Sequence, residues 1–122
     1  MVHGIGIDIV DISRVRPLIV KMGSSKSRVF TDNEMDYIMK RKAAGEMSAA
    51  GIFAAKEAFA KAMGTGVSGF SFKDVEISHD ENGMPKILLY GGAKKMAEGL
   101  RLFLTISHEK EYAVAMVLAE KS

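Results

Sequence analysis

The segment from Met47 to Met63 limits most strongly how this chain can fold, because nearly every residue in it is apolar or small. Its charged residues are Lys56, Glu57 and Lys61. A helix that is apolar almost all round is buried, so the segment predicts a buried helix from about residue 46 to residue 63. The helix should end before Gly64, since glycine is common just after a helix C-terminus.

The composition is that of one ordinary globular domain. The chain has 122 residues, enough for a single core spanning 1–122, with 48% hydrophobic and 26% charged residues. It contains no cysteine, which excludes disulfides, thiolate zinc sites and cysteine nucleophiles. Neither a signal-peptide pattern nor an apolar run of membrane-spanning length is present, so we expect a cytoplasmic protein with no membrane contact. The net charge of +2 is too small to favour nucleic acid as a partner.

Alternation of apolar and other residues predicts a first strand over 3–10, on which Asp8 shares a face with two glycines. Thr31 and Glu34 form the capping-box pattern that opens a helix, here extending to about residue 42. The other predicted elements are a helix over 13–22 capped by Asp11 or Ser13, strands over 72–78 and 85–90 joined by a turn at 80–83, a short helix near 93–99, and a hairpin of strands over 102–107 and 111–119. Helices and mostly antiparallel strands in mixed order predict an α+β fold, with helices packed on a largely antiparallel sheet.

Two carboxylates occupy positions where a purely structural sequence would favour apolar residues, and they suggest a metal site. Asp8 lies on the first strand and Glu57 on the buried helix. Mg²⁺ is usually held by one or two carboxylates together with water and phosphate oxygens, and this pair fits if the strand lies against the helix. The structural alternatives are a capping or hydrogen-bonding role for Asp8 and a surface ion pair between Glu57 and Lys61, four residues later.

Two further groups could contact a ligand. Gly64–Gly66 follows the buried helix, and glycines let backbone N–H groups approach a phosphate closely; the alternative is a helix stop with a flexible turn. Ser107 and His108 stand at the tight connection of the last hairpin, where side chains can meet a ligand. For His108 a purely structural role is the alternative.

The stretch from Arg14 to Arg28 is basic and contains no acidic residue. Its cations are Arg14, Arg16, Lys21, Lys26 and Arg28. On a helix, Arg14, Leu18 and Lys21 would share one face. Such a face suits an acidic protein partner, and a merely solvated basic face is the alternative.

Taken together, these motifs resemble the holo-acyl-carrier-protein synthase family, the small bacterial type of 4′-phosphopantetheinyl transferase. The resemblance covers nearly the whole chain and is weakest at 17–30, 38–50 and 88–101. The matching blocks are Gly4-Ile5-Gly6-Ile7-Asp8-Ile9, Thr31 to Glu34, Phe53 to Gly66, Phe72 to Ile77, Asn82-Gly83-Met84-Pro85, and Thr105-Ile106-Ser107-His108 with Tyr112-Ala113. The most specific is Phe-Ala-Ala-Lys-Glu-Ala-Phe-Ala-Lys-Ala from Phe53, which leads into Gly-Thr-Gly.

The resemblance implies the 4′-phosphopantetheinyl transferase fold and one reaction, used in fatty acid biosynthesis. The 4′-phosphopantetheine arm of coenzyme A would move to a serine of an acidic acyl carrier protein, with release of adenosine 3′,5′-bisphosphate. By this resemblance, Asp8 and Glu57 hold Mg²⁺ and Lys61 contacts the transferring phosphate or the leaving group. Glu57, directly or through a metal-bound water, would take the serine proton.

The same resemblance implies roles for the remaining candidates. Gly64, Thr65 and Gly66, together with Ser107 and His108, would bind the nucleotide end of coenzyme A, and His108 would assist catalysis. Arg14, Leu18 and Lys21 would contact the carrier protein. Family members form homotrimers whose active sites are shared between neighbouring subunits, so residues of one site need not face one another within a single chain.

The chain departs from the family pattern at a few positions. Many members carry arginine where this chain has Ile52. If that arginine contacts a coenzyme A phosphate, the chain lacks the contact or supplies it from Arg41 or Lys42. Position 11 is aspartate where glutamate is common, and Pro17 is acceptable in a helix only near the first turn.

Two other classes of function are compatible with these residues. A Mg²⁺-dependent hydrolase of pyrophosphates would use the same carboxylates with water as the nucleophile, and it would need no protein acceptor. A non-catalytic binding module could keep the fold. The presence of Asp8, Glu57, Lys61 and His108 together argues against the second alternative.

Overall fold

The computed structural model describes residues 1–20 and 27–122. Along the chain the elements are β1 (Val2–Asp11), α1 (Arg16–Val20), α2 (Asp32–Lys40), α3 (Gly45–Met63), β2 (Val75–His79), β3 (Pro85–Leu89), α4 (Gly91–Met96), β4 (Leu100–His108) and β5 (Tyr112–Lys121). Short 3₁₀ turns occupy Ile12–Val15, Lys42–Ala44 and Phe72–Asp74. The order of helices and strands follows the sequence-based prediction. Lys21 and the end of the predicted 13–22 helix lie outside the described residues.

The strands form two antiparallel sheets where the sequence predicted one. β1, β5 and β4 pair in that order, and β2 pairs with β3 as a separate hairpin. In the larger sheet Asp8 stands opposite Ala115, which in turn stands opposite Ile106. β5 is therefore the central strand, and β1 and β4 lie on either side of it.

The buried helix predicted from composition is α3, and it packs across one face of the larger sheet. Small residues on β5 and on β1 allow these two strands to lie close to α3. The residues of β5 that face the helix are Ala113, Ala115, Val117 and Ala119, all buried. On β1 the approach is closer still, because a Cβ on Gly6 would lie only 1.9 Å from the carbonyl oxygen of Ala58. The alternation in β1 thus places glycine and Asp8 toward α3.

The opposite face of the same sheet is apolar and exposed. Ile5, Ile7 and Ile9 point away from α3 and are 58% to 62% exposed. Phe103 of β4 and Met116 of β5 extend this surface across the sheet, and Ile7 stands directly opposite Met116. Interaction faces of folded proteins commonly present exposed apolar surfaces of this kind.

Several predicted boundaries differ in the structure for local reasons. The strand expected over 72–78 begins only at Val75, because residues 72–74 form a 3₁₀ turn closed by Ser71 and Asp74. The helix expected over 13–22 begins as a 3₁₀ turn whose cap is Asp11, which accepts a hydrogen bond from the Ser13 backbone N–H. Regular α-helix starts at Arg16, so Pro17 lies in the first turn, where its missing N–H does no harm.

Candidate active site

Asp8 lies on the face of β1 that meets α3, and the two glycines before it let the strand come close enough for its carboxylate to reach the helix. The Lys61 ammonium donates to Asp8 Oδ1 at 3.1 Å and to the backbone oxygen of Ile7 at 2.9 Å. The ion pair of Lys61 is therefore made with a residue of β1, 53 positions away in sequence. Asp8 is largely shielded, with 17% of its side chain exposed, whereas Lys61 is 54% exposed.

Glu57 projects from α3 toward Asp8 and Lys61. Burial raises the pKa of its carboxyl above the ordinary value, and the nearby Asp8 carboxylate raises that pKa further. Lys61 and Arg14 oppose the rise. Two carboxylates that repel each other are a suitable environment for a divalent cation, since the cation would relieve the repulsion.

The donor set fits Mg²⁺ held partly by a ligand. Within 1–20 and 27–122 the structure shows no group of three or more His, Cys, Asp or Glu side chains placed to hold a metal. Asp8 and Glu57 would supply two oxygen ligands, and water or phosphate oxygens would complete the shell. This arrangement is the usual one for Mg²⁺ bound together with a phosphate substrate.

The glycine segment leaves α3 one turn after Lys61. Gly64 and Gly66 adopt left-handed backbone angles, with φ of 79° and 62°, and Gly64 closes the helix as predicted. The segment is exposed, and a Cβ on either glycine would meet nothing within 4 Å. The left-handed backbone accounts for both glycines as turn residues, and their open surroundings leave room for a ligand.

His108 lies elsewhere in the chain, at a small pocket between β4 and the first half of α3. The cavity holds about 200 Å³ and is lined by Tyr37, Arg41, Ser48, Gly51, His79, Gly83, Pro85, Ile106 and His108. Tyr37 stacks on His79 with ring centroids 4.0 Å apart, and the Arg41 guanidinium lies 5.8 Å from the Tyr37 ring centre. Burial lowers the pKa of His79, and Arg41 lowers it further. The pocket is thus rich in groups that can donate hydrogen bonds to an anion.

Within one chain the structure does not bring His108 to the carboxylates. Ser48 of the pocket and Glu57 are nine residues apart on α3, about two and a half turns, so they project from opposite sides of the helix. Asp8 is on β1 and His108 on β4, with β5 between them. The chain therefore carries two separate candidate sites, the carboxylate site of Asp8, Glu57 and Lys61, and the His108 pocket.

The last hairpin also differs from its prediction. Ser107 and His108 were expected in the connection, but both belong to β4, and the connection is formed by residues 109–111. Neighbouring residues of a strand point to opposite faces. Ser107 accordingly lies on the outer, apolar face opposite Val114, while His108 turns toward the pocket.

The sequence matches the model of the 4′-phosphopantetheinyl transferase superfamily over residues 4–117, which include every residue of the carboxylate site and of the His108 pocket. The chain belongs to this superfamily. A holo-[acyl-carrier-protein] synthase from Clostridium perfringens is 45% identical, with 98% of this chain and 95% of that protein covered. The corresponding protein of Caldicellulosiruptor saccharolyticus is 47% identical, with 99% and 98% covered.

The transferase fold is equally clear from solved structures. A holo-(acyl-carrier-protein) synthase from Bacillus anthracis, in complex with CoA (3′,5′-ADP), superposes with a TM-score of 0.84 at 37% identity. That likeness covers 100% of this chain and 99% of the other. The predicted α+β transferase fold is confirmed, and the chain is a transferase. In the described part of the transferase, none of the helices has the length and apolarity needed to cross a membrane.

Of the residues that the sequence proposed for carrier binding, Arg14 lies beside the carboxylate site of the transferase, and Lys21 is outside the described residues. Arg14 is exposed in the 3₁₀ turn after β1, close enough to lower the pKa of Glu57. Leu18 on α1 is partly buried and packs against the core, so it presents only part of its side chain outward.

Sequence reasoning assigned no role to His79 and considered Arg41 only as a substitute for an arginine missing at position 52. Ile52 is 1% exposed and belongs to the core. The stack of His79 on Tyr37 joins residues 42 positions apart in the chain. No local pattern could have indicated it.

Proposed function

We propose that this transferase moves the 4′-phosphopantetheine arm of coenzyme A onto a serine of an acidic acyl carrier protein in a Mg²⁺-dependent reaction. The observation that carries the proposal is the convergence of Asp8, Glu57 and Lys61 in a chain of this superfamily. The names of the curated relatives support the acceptor, and the B. anthracis complex supports coenzyme A as the donor.

The bond changes define what the site has to do. The serine oxygen of the carrier bonds to the phosphorus next to the pantetheine arm, and the bridging oxygen of the pyrophosphate leaves with adenosine 3′,5′-bisphosphate. Asp8 and Glu57 would hold Mg²⁺, which when bound neutralises charge on the pyrophosphate. Lys61, whose ammonium lies beside Asp8, would contact the phosphate oxygens that gain charge.

Glu57 is our proposed acceptor of the serine proton, directly or through water. Its pKa is raised by burial and by Asp8. A carboxylate with a raised pKa is a better base than an ordinary one, and Lys61 and Arg14 favour its ionised form. Its position on α3, one turn before Lys61, places the base and the phosphate contact on one side of the helix.

The separation of the carboxylate site from the His108 pocket supports a site shared between copies of the chain. The outer face of the larger sheet offers an apolar surface that a second copy would bury. We propose a homotrimer in which the His108 pocket of one subunit completes the carboxylate site of its neighbour. Arg41 and His108 would then bind the nucleotide end of coenzyme A, with Gly64–Gly66 of the neighbour along its pyrophosphate.

The carrier protein would dock on the basic surface next to Glu57. Arg14 is exposed there and Leu18 supplies an adjoining apolar contact. Lys21 belongs to the same proposal, although it lies outside the described residues. An acidic carrier steered to this surface would bring its serine to the base.

The test is the intact mass of an apo-acyl carrier protein after incubation with this protein, coenzyme A and Mg²⁺. We expect a gain of one phosphopantetheine arm, roughly 340 Da from the formula of the transferred group, and no gain when EDTA is present. Asp8→Ala and Glu57→Ala should both abolish the gain while circular dichroism shows an intact fold.

The same samples decide between the alternatives. Release of adenosine 3′,5′-bisphosphate without any carrier would identify a hydrolase. A well-folded protein that leaves both coenzyme A and several carriers unchanged would instead be a binding module.

A further inference from the structure

One buried charged pair in the molecule has no part in the chemistry described above. Lys56 of α3 and Glu34 of α2 form an ion pair at 2.8 Å, and neither side chain has any exposed surface. Lys56 precedes Glu57 directly in the chain. The pair therefore lies inside the core, one residue along α3 from Glu57 of the carboxylate site.

Every hydrogen-bonding group of Lys56 is used. Its ammonium donates to Glu34, to the backbone oxygen of Phe72 at 2.8 Å and to that of Val75 at 2.7 Å. Three acceptors match the three N–H groups of a lysine. Lys56 thus ties α3 to α2, to the 3₁₀ turn before β2, and to β2 itself.

Glu34 is held as firmly. One carboxylate oxygen accepts from the Thr31 backbone N–H at 2.9 Å, and the other accepts from the Ile77 backbone N–H at 2.7 Å. Since Thr31 opens α2 and Ile77 lies in β2, the carboxylate cannot turn without breaking two backbone contacts. Lys56 is therefore anchored to a rigid partner.

These bonds hold α3 and the turn that follows residues 64–71. Lys56 and Ala58 are two residues apart and so face nearly opposite sides of α3. Ala58 lies against the backbone of β1 at Gly6. α3 is therefore held on two nearly opposite sides, at Lys56 and at Ala58, and Glu57 projects between these two contacts. Residues 64–71 follow α3 in the chain. The next residue, Phe72, accepts a hydrogen bond from Lys56 through its backbone oxygen, so Lys56 holds the far end of this segment.

Stability alone is a poor explanation for such a pair. Burying two charges is so unfavourable that a buried ion pair often adds no net stability over apolar residues of the same size. The fixed geometry is what an apolar pair could not supply, because apolar contacts have no direction.

We propose that Lys56 is a positioning residue, which through Glu34, Phe72 and Val75 fixes the rotation of α3 and the return of the 64–71 segment, and so aims Glu57 and Lys61 at Asp8. The role of Glu57 in this statement rests on the proposed function. The anchoring of the 64–71 segment does not, and it can be measured without any substrate.

The test is the double variant Lys56→Met with Glu34→Gln, which removes both charges at nearly constant volume. We expect it to fold, with a kcat lowered roughly 10²-fold, which a misplacement of about 1 Å can cause. Hydrogen exchange within amides 64–72 should be faster at Ser71, whose N–H donates to the Asp74 carboxylate in the turn that Lys56 holds. The KM for the carrier should stay the same. The matched control is Ile77→Ala, which opens a cavity in the core beside the Lys56–Glu34 pair but keeps the pair itself. This control should retain wild-type kcat and wild-type hydrogen exchange at amides 64–72.

Each outcome decides the proposal. A folded double variant with wild-type exchange at 64–72 and wild-type kcat would overturn it, and so would an equal loss of kcat in Ile77→Ala. If the double variant fails to fold, Glu34→Asp takes its place, since it keeps both charges while withdrawing the carboxylate, and the same two measurements apply. If wild-type protein transfers nothing, the proposed function fails, and the exchange of amides 64–72 still decides whether Lys56 anchors that segment.

Discussion

Replacing Gly6 by alanine tests the link between β1, α3 and the carboxylate site. The added Cβ would lie 1.9 Å from the carbonyl oxygen of Ala58 and 2.7 Å from the backbone nitrogen of Ala62. Both are backbone atoms, so no side chain can turn away to make room. Ordinary contact begins near 3.4 Å, and the strand and the helix must therefore separate by about 1.5 Å.

That displacement is large compared with the contacts it disturbs. Lys61 reaches Asp8 at 3.1 Å and Ile7 at 2.9 Å, and a shift of about 1.5 Å carries both acceptors out of hydrogen-bonding range. We expect kcat/KM for phosphopantetheine transfer to fall by roughly 10²-fold. Overpacking against backbone should also remove about 3 kcal/mol of stability, equivalent to a fall in Tm of roughly 10 °C for a chain of this length.

The assay pairs thermal unfolding with carrier modification by mass spectrometry at 20–25 °C, where the variant stays folded. Gly99→Ala is the control, because Gly99 has φ of 77° and open space around it. Alanine there should lower stability by about 1–2 kcal/mol without changing kcat/KM. If Gly6→Ala lowers Tm but transfers at the wild-type rate, the spacing of β1 and α3 does not govern the site, and an unchanged Tm would refute the clash itself.

Four further changes separate the remaining proposals. Glu57→Gln should abolish transfer. It should also raise Tm at neutral pH, because the raised pKa of Glu57 means that the charged carboxylate destabilises the folded state. The Tm difference between variant and wild type should vanish below pH 4.5, the ordinary pKa of glutamate, where wild-type Glu57 is also neutral. A Tm that falls instead would contradict that sign. Arg14→Glu should raise the KM for the carrier and leave the KM for coenzyme A unchanged, and equal changes in both would rule out selective docking. Ile7→Glu should prevent formation of the proposed homotrimer in analytical ultracentrifugation and abolish transfer with it; an active monomer would refute the shared site. Arg41→Gln should raise the KM for coenzyme A alone, and an unchanged KM would exclude the His108 pocket as its binding site.

Local features of the fold could be predicted because they depend on residues near one another in the chain. The capping box of Thr31 and Glu34 is present in both halves, and Gly64 ends α3 in the left-handed conformation. The alternation in β1 correctly placed Asp8 on the face shared with the glycines. Each of these features follows from sterics and hydrogen bonds within a few residues.

The chemical character of the candidate site could also be predicted from the sequence, since it depends on residue types. A helix as apolar as α3 seldom carries charge without a partner or a ligand. Lys61 and Lys56 do have partners, but these are Asp8 and Glu34, on other elements of the fold. The i,i+4 spacing of Glu57 and Lys61 suggested a different pair, because spacing reports only neighbours on the same helix.

Only the tertiary structure decided which distant groups meet. The strand order β1-β5-β4 places His108 and Asp8 on either side of a central strand. Ser48 and Glu57 project from opposite sides of α3, so the helix lies between the His108 pocket and the carboxylate site. The packing of α3 on one face of this sheet leaves Ile5, Ile7 and Ile9 on the other face, exposed, although alternation alone could not say which face of the strand is buried. Residue types therefore determined the chemistry available to this chain. The packing of elements far apart in sequence, which depends on the whole core at once, determined where that chemistry is assembled.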